Sequence, residues 1–213
     1  MSIALAAASI FFLGVFLAFS LPMYFKREKE QYDFRNHFCF EILPDKHDPN
    51  FMISIIAPTV FLLSVVANFI YFAISDFGVM NVVIAFVSLL IAFSIGVLFI
   101  LPLSKLRERS IFSIILIVLV AVINALLFYE ETFYIKAYQD NLIYLPIIIN
   151  GLLLIVAVIV IFFPRLFDLG VDKDESGVSI RKKMYPLAFL EWLLILSLPL
   201  TQISIIVMEI IKK

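Results

Sequence analysis

Four side-chain amides are the groups in this chain best suited to chemistry: Asn68, Asn124, Asn150 and Gln202, each set in a long apolar run. An amide both donates and accepts, and in an apolar medium it must find a partner. Counting 1.5 Å per helical residue puts all four about 9 to 15 Å from the outer end of four different helices. Convergence at that depth predicts one of two things. One is polar glue between helices, worth about 0.6 kcal/mol per bond. The other is an uncharged polar pocket open to the outer face, taking a small neutral solute or a partner's polar group.

The remaining reactive side chains are sparse. His37 and His47 are the only histidines, and Cys39, Glu41, Asp45 and Asp48 lie around them. Imidazole and thiolate ligands bind zinc, but this spacing matches no established arrangement, so a solvated loop is expected and no metal or cofactor. Glu191 stands about two turns inside the last apolar run, behind Arg181, Lys182 and Lys183; snorkelling and a position near a helix N-terminus account for it, with a role in coupling as the alternative. Glu209 lies at the outer boundary, and Glu130 with Glu131 stands at an outer edge. No histidine falls in an apolar run and no GxSxG-like turn occurs, so the nucleophile–base pairs and metal sets of intramembrane enzymes are missing. The expectation is a protein that is not an enzyme.

The elements that must position the amides are six apolar runs of about 20 residues, the length that spans a hydrocarbon core: Ile3–Leu21, Met52–Ile74, Met80–Leu101, Ile111–Tyr129, Leu142–Phe163 and Leu187–Met208. Backbone groups in lipid must pair within their own segment, so each run is a helix. The fold class is all-α: a polytopic bundle of six transmembrane helices in a single domain. Lys26, Arg27, Lys29, Arg35 and Lys46 fill the first loop, Lys105, Arg107 and Arg109 the third, and Arg165, Lys173, Arg181, Lys182 and Lys183 the fifth. Lys136, Lys212 and Lys213 are the basic residues of the other side. Basic loops stay cytoplasmic, which predicts both termini outside.

Small residues recur every four positions at Ser88, Ala92 and Gly96, a row that lets helices approach closely, within the bundle or against a partner or second copy. Gly14 with Ala18, Ala121 with Ala125, and Ser197, Thr201 and Ser204 make shorter faces. Pro58, Pro146 and Pro199 sit inside runs and predict kinks, each freeing the carbonyl four residues back. The first loop, 22–51, alternates apolar and polar residues from Phe34 to Ile42, which predicts a segment on the inner leaflet or against a cytoplasmic partner. The fifth loop predicts a turn near Gly177 and a basic cluster at anionic headgroups.

Composition agrees with a bilayer as the main partner. The chain is 63% hydrophobic and 15% charged, with a mean hydropathy of +1.10, more apolar surface than a soluble fold buries. A net charge of −1 argues against nucleic acid. The N-terminus lacks the basic region of a secretory signal, and the single cysteine cannot form an internal disulfide.

The early first span, its exit at Pro22, Met23, Tyr24, Phe25, Lys26 and Arg27, and the Ile- and Phe-rich style resemble small uncharacterised polytopic membrane proteins that Gram-positive bacteria encode near type VII secretion or toxin and immunity loci. That resemblance implies the bacterial cytoplasmic membrane and a secretion-accessory or immunity role; no functional residue carries over from it. Ala4 and Ala8 are similar to the small-residue row of six-span substrate-capture subunits of vitamin importers, whose N-terminus usually begins in the cytoplasm. Two functions are therefore expected: contact with a membrane protein partner, or small-solute transport, as a transporter or as the substrate-binding membrane subunit of one.

Overall fold

The structure is a computed structural model describing residues 1–29, 31–44, 47–75, 79–101, 105–138, 141–163, 172–173, 179–180 and 185–211. The apolar runs form helices α1 (Ser2–Glu28), α2 (Phe51–Ser75), α3 (Val79–Ile100), α4 (Leu106–Tyr138), α5 (Tyr144–Phe162) and α6 (Pro186–Ile211). All six are long and apolar enough to cross a membrane, so the chain is an all-α multi-pass membrane protein. Phe11, Leu63, Phe86, Phe93, Leu152 and Ile155 are exposed along its sides. Water would not tolerate such a belt, whereas lipid tails cover it. Two short strands, β1 (Asp172–Lys173) and β2 (Ser179–Ile180), pair antiparallel in the fifth loop. Gly177 and the basic cluster Arg181, Lys182 and Lys183 lie outside the described residues.

Each helix packs on its neighbours in sequence, and α6 closes the ring against α1 while also touching α2 and α4. Phe16, Phe61, Phe69, Ile95, Leu116, Ile123 and Ile195 fill the interior. Six crossings bring the chain ends to one side, where the Met1 ammonium lies 3.9 Å from Glu209 Oε1.

Several boundaries differ from the sequence reading. α1 runs through Pro22 to Glu28 and stops at Lys29, which adopts the left-handed conformation (φ 59°) and donates its N–H to the Phe25 carbonyl, a C-terminal cap usually given to glycine. α4 is 33 residues long, about 50 Å at 1.5 Å per residue, so Glu130 and Glu131, expected at an outer edge, lie inside a helix that continues to Tyr138. Pro58 and Pro199 lie inside α2 and α6. Pro146 falls in the first turn of α5, where its missing N–H would have been unpaired in any case.

The first loop departs furthest. Residues 31–44 pack into the end of the bundle instead of lying on a surface: Phe38, Cys39 and Ile42 are fully buried. The expected alternation gives way to a 3-10 turn over Cys39–Ile42. Tyr185 at the start of α6 donates its N–H to the Arg35 carbonyl at 2.9 Å.

Candidate functional site

One stripe of α4 carries the polar interior of the molecule. Arg109, Ser113, Leu116, Val120, Asn124, Leu127 and Glu131 follow one another three or four residues apart and are all buried. That spacing keeps them on a single helix face and sets Arg109 and Glu131 about 33 Å apart along the axis. A polar cluster forms at each end.

At the loop-bearing end Arg109 and Glu191 make an ion pair at 2.6 Å, both side chains fully shielded from solvent. Arg109 also donates to the Leu101 carbonyl at 2.6 Å and to Cys39 Sγ at 3.2 Å. Its guanidinium lies 4.6 Å from the Phe38 ring centre and 4.7 Å from that of Phe40, within cation–π range. Glu191 accepts from Ser113 Oγ at 3.1 Å and from the Cys39 thiol at 3.5 Å. A lone buried charge would be prohibitively costly; pairing and the added hydrogen bonds offset that cost, although Arg109 Nε has no partner among the described residues.

The same cluster seats the first loop. Trp192 Nε1 donates to Tyr32 Oη at 3.0 Å and to the His37 carbonyl at 3.2 Å. Burial, reinforced by Glu191, raises the Cys39 thiol well above its ordinary acidity range, and burial with nearby Cys39 does the same to the Tyr32 phenol. Both stay protonated and act as donors. His37 packs its ring against Tyr24 and Tyr32, while His47 is exposed. His37, Cys39 and His47 thus serve separate surroundings, and no metal-holding group of three His, Cys, Asp or Glu occurs among the described residues.

At the opposite end the four amides divide. Asn68 Nδ2 donates to Gln202 Oε1 at 2.6 Å, joining α2 to α6. Asn150 Nδ2 donates to Glu131 Oε1, joining α5 to α4. Asn124 turns to its own helix and donates to the Val120 carbonyl at 2.7 Å; because α4 is long, it lies about 21 Å from that helix's end, two turns deeper than expected. All four amides and Glu131 are fully buried.

Among the described residues their bonding is incomplete, mostly on the acceptor side. Asn124 Oδ1, Asn150 Oδ1 and Glu131 Oε2 have no partner among the described residues. Asn124 faces a backbone carbonyl, so it must present its NH2 and leave its own carbonyl free; Asn150 does the same against an ionised Glu131. Asn68 Oδ1 and Gln202 Nε2 are also open. The layer is therefore rich in unused acceptors. Leu116 and Val120 of α4 and Leu194 and Leu198 of α6 occupy the turns between the two clusters, an apolar seal.

Of the expected packing row, Ser88 is buried and bonds the Ala85 carbonyl, and Ala92 is half-buried. Gly96 has open space where a Cβ would stand, so it makes no close helix contact. Sequence reasoning placed Arg109 in a basic loop and Glu131 at an outer edge, did not single out Ser113, and read Glu191 as a snorkelling charge near a helix N-terminus, with coupling as the alternative. Their signal was the unbroken three-and-four spacing from Arg109 to Glu131. No protein-family model, curated protein or solved structure matches the chain.

Proposed function

We propose that this chain is a small-solute transporter, or the substrate-binding membrane subunit of one. It would act without enzymatic chemistry, in the bacterial cytoplasmic membrane with both termini outside. The observation that carries the reading is Glu131, a buried carboxylate with one oxygen on Asn150 and the other unpartnered beside an acceptor-rich amide layer. A carboxylate in a membrane interior needs a counter-charge or a proton. The ligand class that fits is a small cation or protonated amine, whose charge and donors match what the layer lacks. This departs from the uncharged pocket expected from the amides alone, because Glu131 joins them. The apolar seal supports a site reached from one side at a time.

The test is a melting titration of the purified protein in lipid nanodiscs with sodium, potassium, ammonium and a set of small organic amines. A ligand at a hundred times its Kd adds about 2.7 kcal/mol, or about 5–11 °C for a chain of this size. Glu131→Gln removes the gain while helical circular dichroism is unchanged. If no cation or amine raises the wild-type melting point, the reading is wrong.

Contact with a membrane protein partner, of the secretion-accessory or immunity kind, has one observation in its favour. α5 buries only Pro146, Asn150, Ala157 and Val160, leaving Ile148, Leu152, Ile155 and Ile159 as one exposed stripe. A mild-detergent pull-down that recovers the same membrane protein with wild type, but not with Ile155→Trp, would support that alternative.

A further inference from the structure

Two cavities at the loop-bearing end are lined by consecutive residues, Leu43 in one and Pro44 in the other. One is an apolar slot of about 210 Å³ between α2 and α3, walled by Leu43, Pro58, Leu62, Gly96 and Phe99. The other is a polar groove of about 260 Å³, walled by Met23, Lys26, Arg27, Pro44 and Asp48. Each is smaller than the roughly 300 Å³ at which small-molecule pockets begin. Together they suit a ligand with one polar and one apolar end.

Position and charge narrow the ligand. Pro58 and Leu62 lie about 10 and 16 Å from the start of α2, counting 1.5 Å per residue, which is the depth of one leaflet's hydrocarbon. The slot is apolar at that depth, so it suits an acyl chain. In the polar groove the cations and the acid come from different elements: Lys26 and Arg27 from α1, Asp48 from the loop. Arg27 is held in place by the carbonyls of Glu41 at 2.8 Å and Leu43 at 2.9 Å and by Glu28. Asp48 spends one oxygen on the Asn50 N–H.

We propose that the paired cavities form a site for one phosphatidylethanolamine-type lipid. Its phosphate lies at Lys26 and Arg27, its ammonium at Asp48, and one acyl chain between α2 and α3. A headgroup carrying both phosphate and ammonium complements a groove lined by both signs of charge; a purely anionic one meets Asp48 unfavourably, and a trimethylated amine has no N–H to donate to it. The inference is independent of the polar layer around Glu131, which lies at the other end of the bundle.

Native mass spectrometry of the detergent-purified protein, incubated with phosphatidylethanolamine, phosphatidylglycerol or phosphatidylcholine, tests it. Wild type retains one phosphatidylethanolamine at least fivefold more than either other lipid. Lys26→Glu loses that retention through the headgroup. Gly96→Leu loses it by filling the slot, and the open space at Gly96 lets this variant fold, as its melting curve verifies. Arg107→Ala removes an exposed cation at the same end, outside both cavities, and leaves retention unchanged. Equal retention of phosphatidylglycerol or phosphatidylcholine, or unchanged retention in Gly96→Leu, overturns the proposal; unchanged retention there is also the result expected if a partner protein occupied the slot instead.

Discussion

Removing one member of the Arg109–Glu191 pair is the perturbation with the largest expected effect. Glu191→Ala deletes a carboxylate that accepts from Arg109, Ser113 and Cys39 and leaves a guanidinium in a solvent-free site. Breaking a buried pair this way costs about 3–5 kcal/mol, a large share of the roughly 5–15 kcal/mol that holds a folded domain together. For a chain of this length that corresponds to about 6–20 °C in melting temperature. Arg109→Ala costs a similar amount, since it also forfeits the Leu101 bond and the contacts with Phe38 and Phe40. The double variant Arg109→Met with Glu191→Leu replaces the pair by apolar groups, which is often neutral or better. The assay is unfolding in mild detergent, followed by fluorescence of the sole tryptophan, Trp192, whose indole is anchored to the first loop. Because the pair is shielded, the loss is nearly the same at low and high salt. In the cycle closed by Arg109→Ala with Glu191→Ala, losses that simply add to within about 0.5 kcal/mol would refute the idea that the pair acts as a unit.

Cys39 is the sole thiol, buried and held protonated, so maleimide at pH 7 leaves the folded protein unlabelled and labels it on denaturation or in Glu191→Ala; prompt labelling of folded wild type would contradict the seated loop. Asn150→Leu combined with Asn124→Leu abolishes the ligand-induced melting shift at unchanged expression and fold, whereas a loss of stability with the shift retained identifies the amides as glue only. Asn68→Leu costs about 0.6 kcal/mol, the interhelical bond to Gln202, measured by the same unfolding curves. Hydrogen bonds from the Arg35 side chain, then from its backbone, hold the Asp33 carboxyl below its ordinary value of 3.8. Its contribution is therefore present above about pH 4 and lost as pH falls; because the pair is exposed, Asp33→Asn lowers stability at pH 7 by no more than about 1 kcal/mol, and the two curves converge at acid pH.

The six helices were legible because hydrocarbon thickness sets both their length and their lack of charge, and the runs are separated by charged residues. Hydropathy marks where charge appears, but not which residue will neutralise it. Arg109 therefore read as one more basic residue of a turn, although its partner Glu191 is 82 residues away. Glu131 likewise read as the edge of a loop because its partner, Asn150, lies on the next helix. The first loop misled for the same reason. Phe38 looks like an interfacial residue, and Cys39 like part of a solvated loop, until Arg109 supplies a reason to bury them. The amides were found as residues but not as pairs: side-chain rotamers send Asn124 to its own backbone, and depth counting cannot see that.

The ring of helices closes through α6, and α6 also supplies the carboxylate and the indole on which the loop-bearing end depends. It leaves the ribosome after the other five. During synthesis the α4 guanidinium must wait some eighty residues for its counter-ion, with the aromatic plug undocked meanwhile. Assembly of that end is thus coupled to completion of the bundle, and a chain interrupted before α6 would present quality control with an uncompensated cation in place of a finished seam.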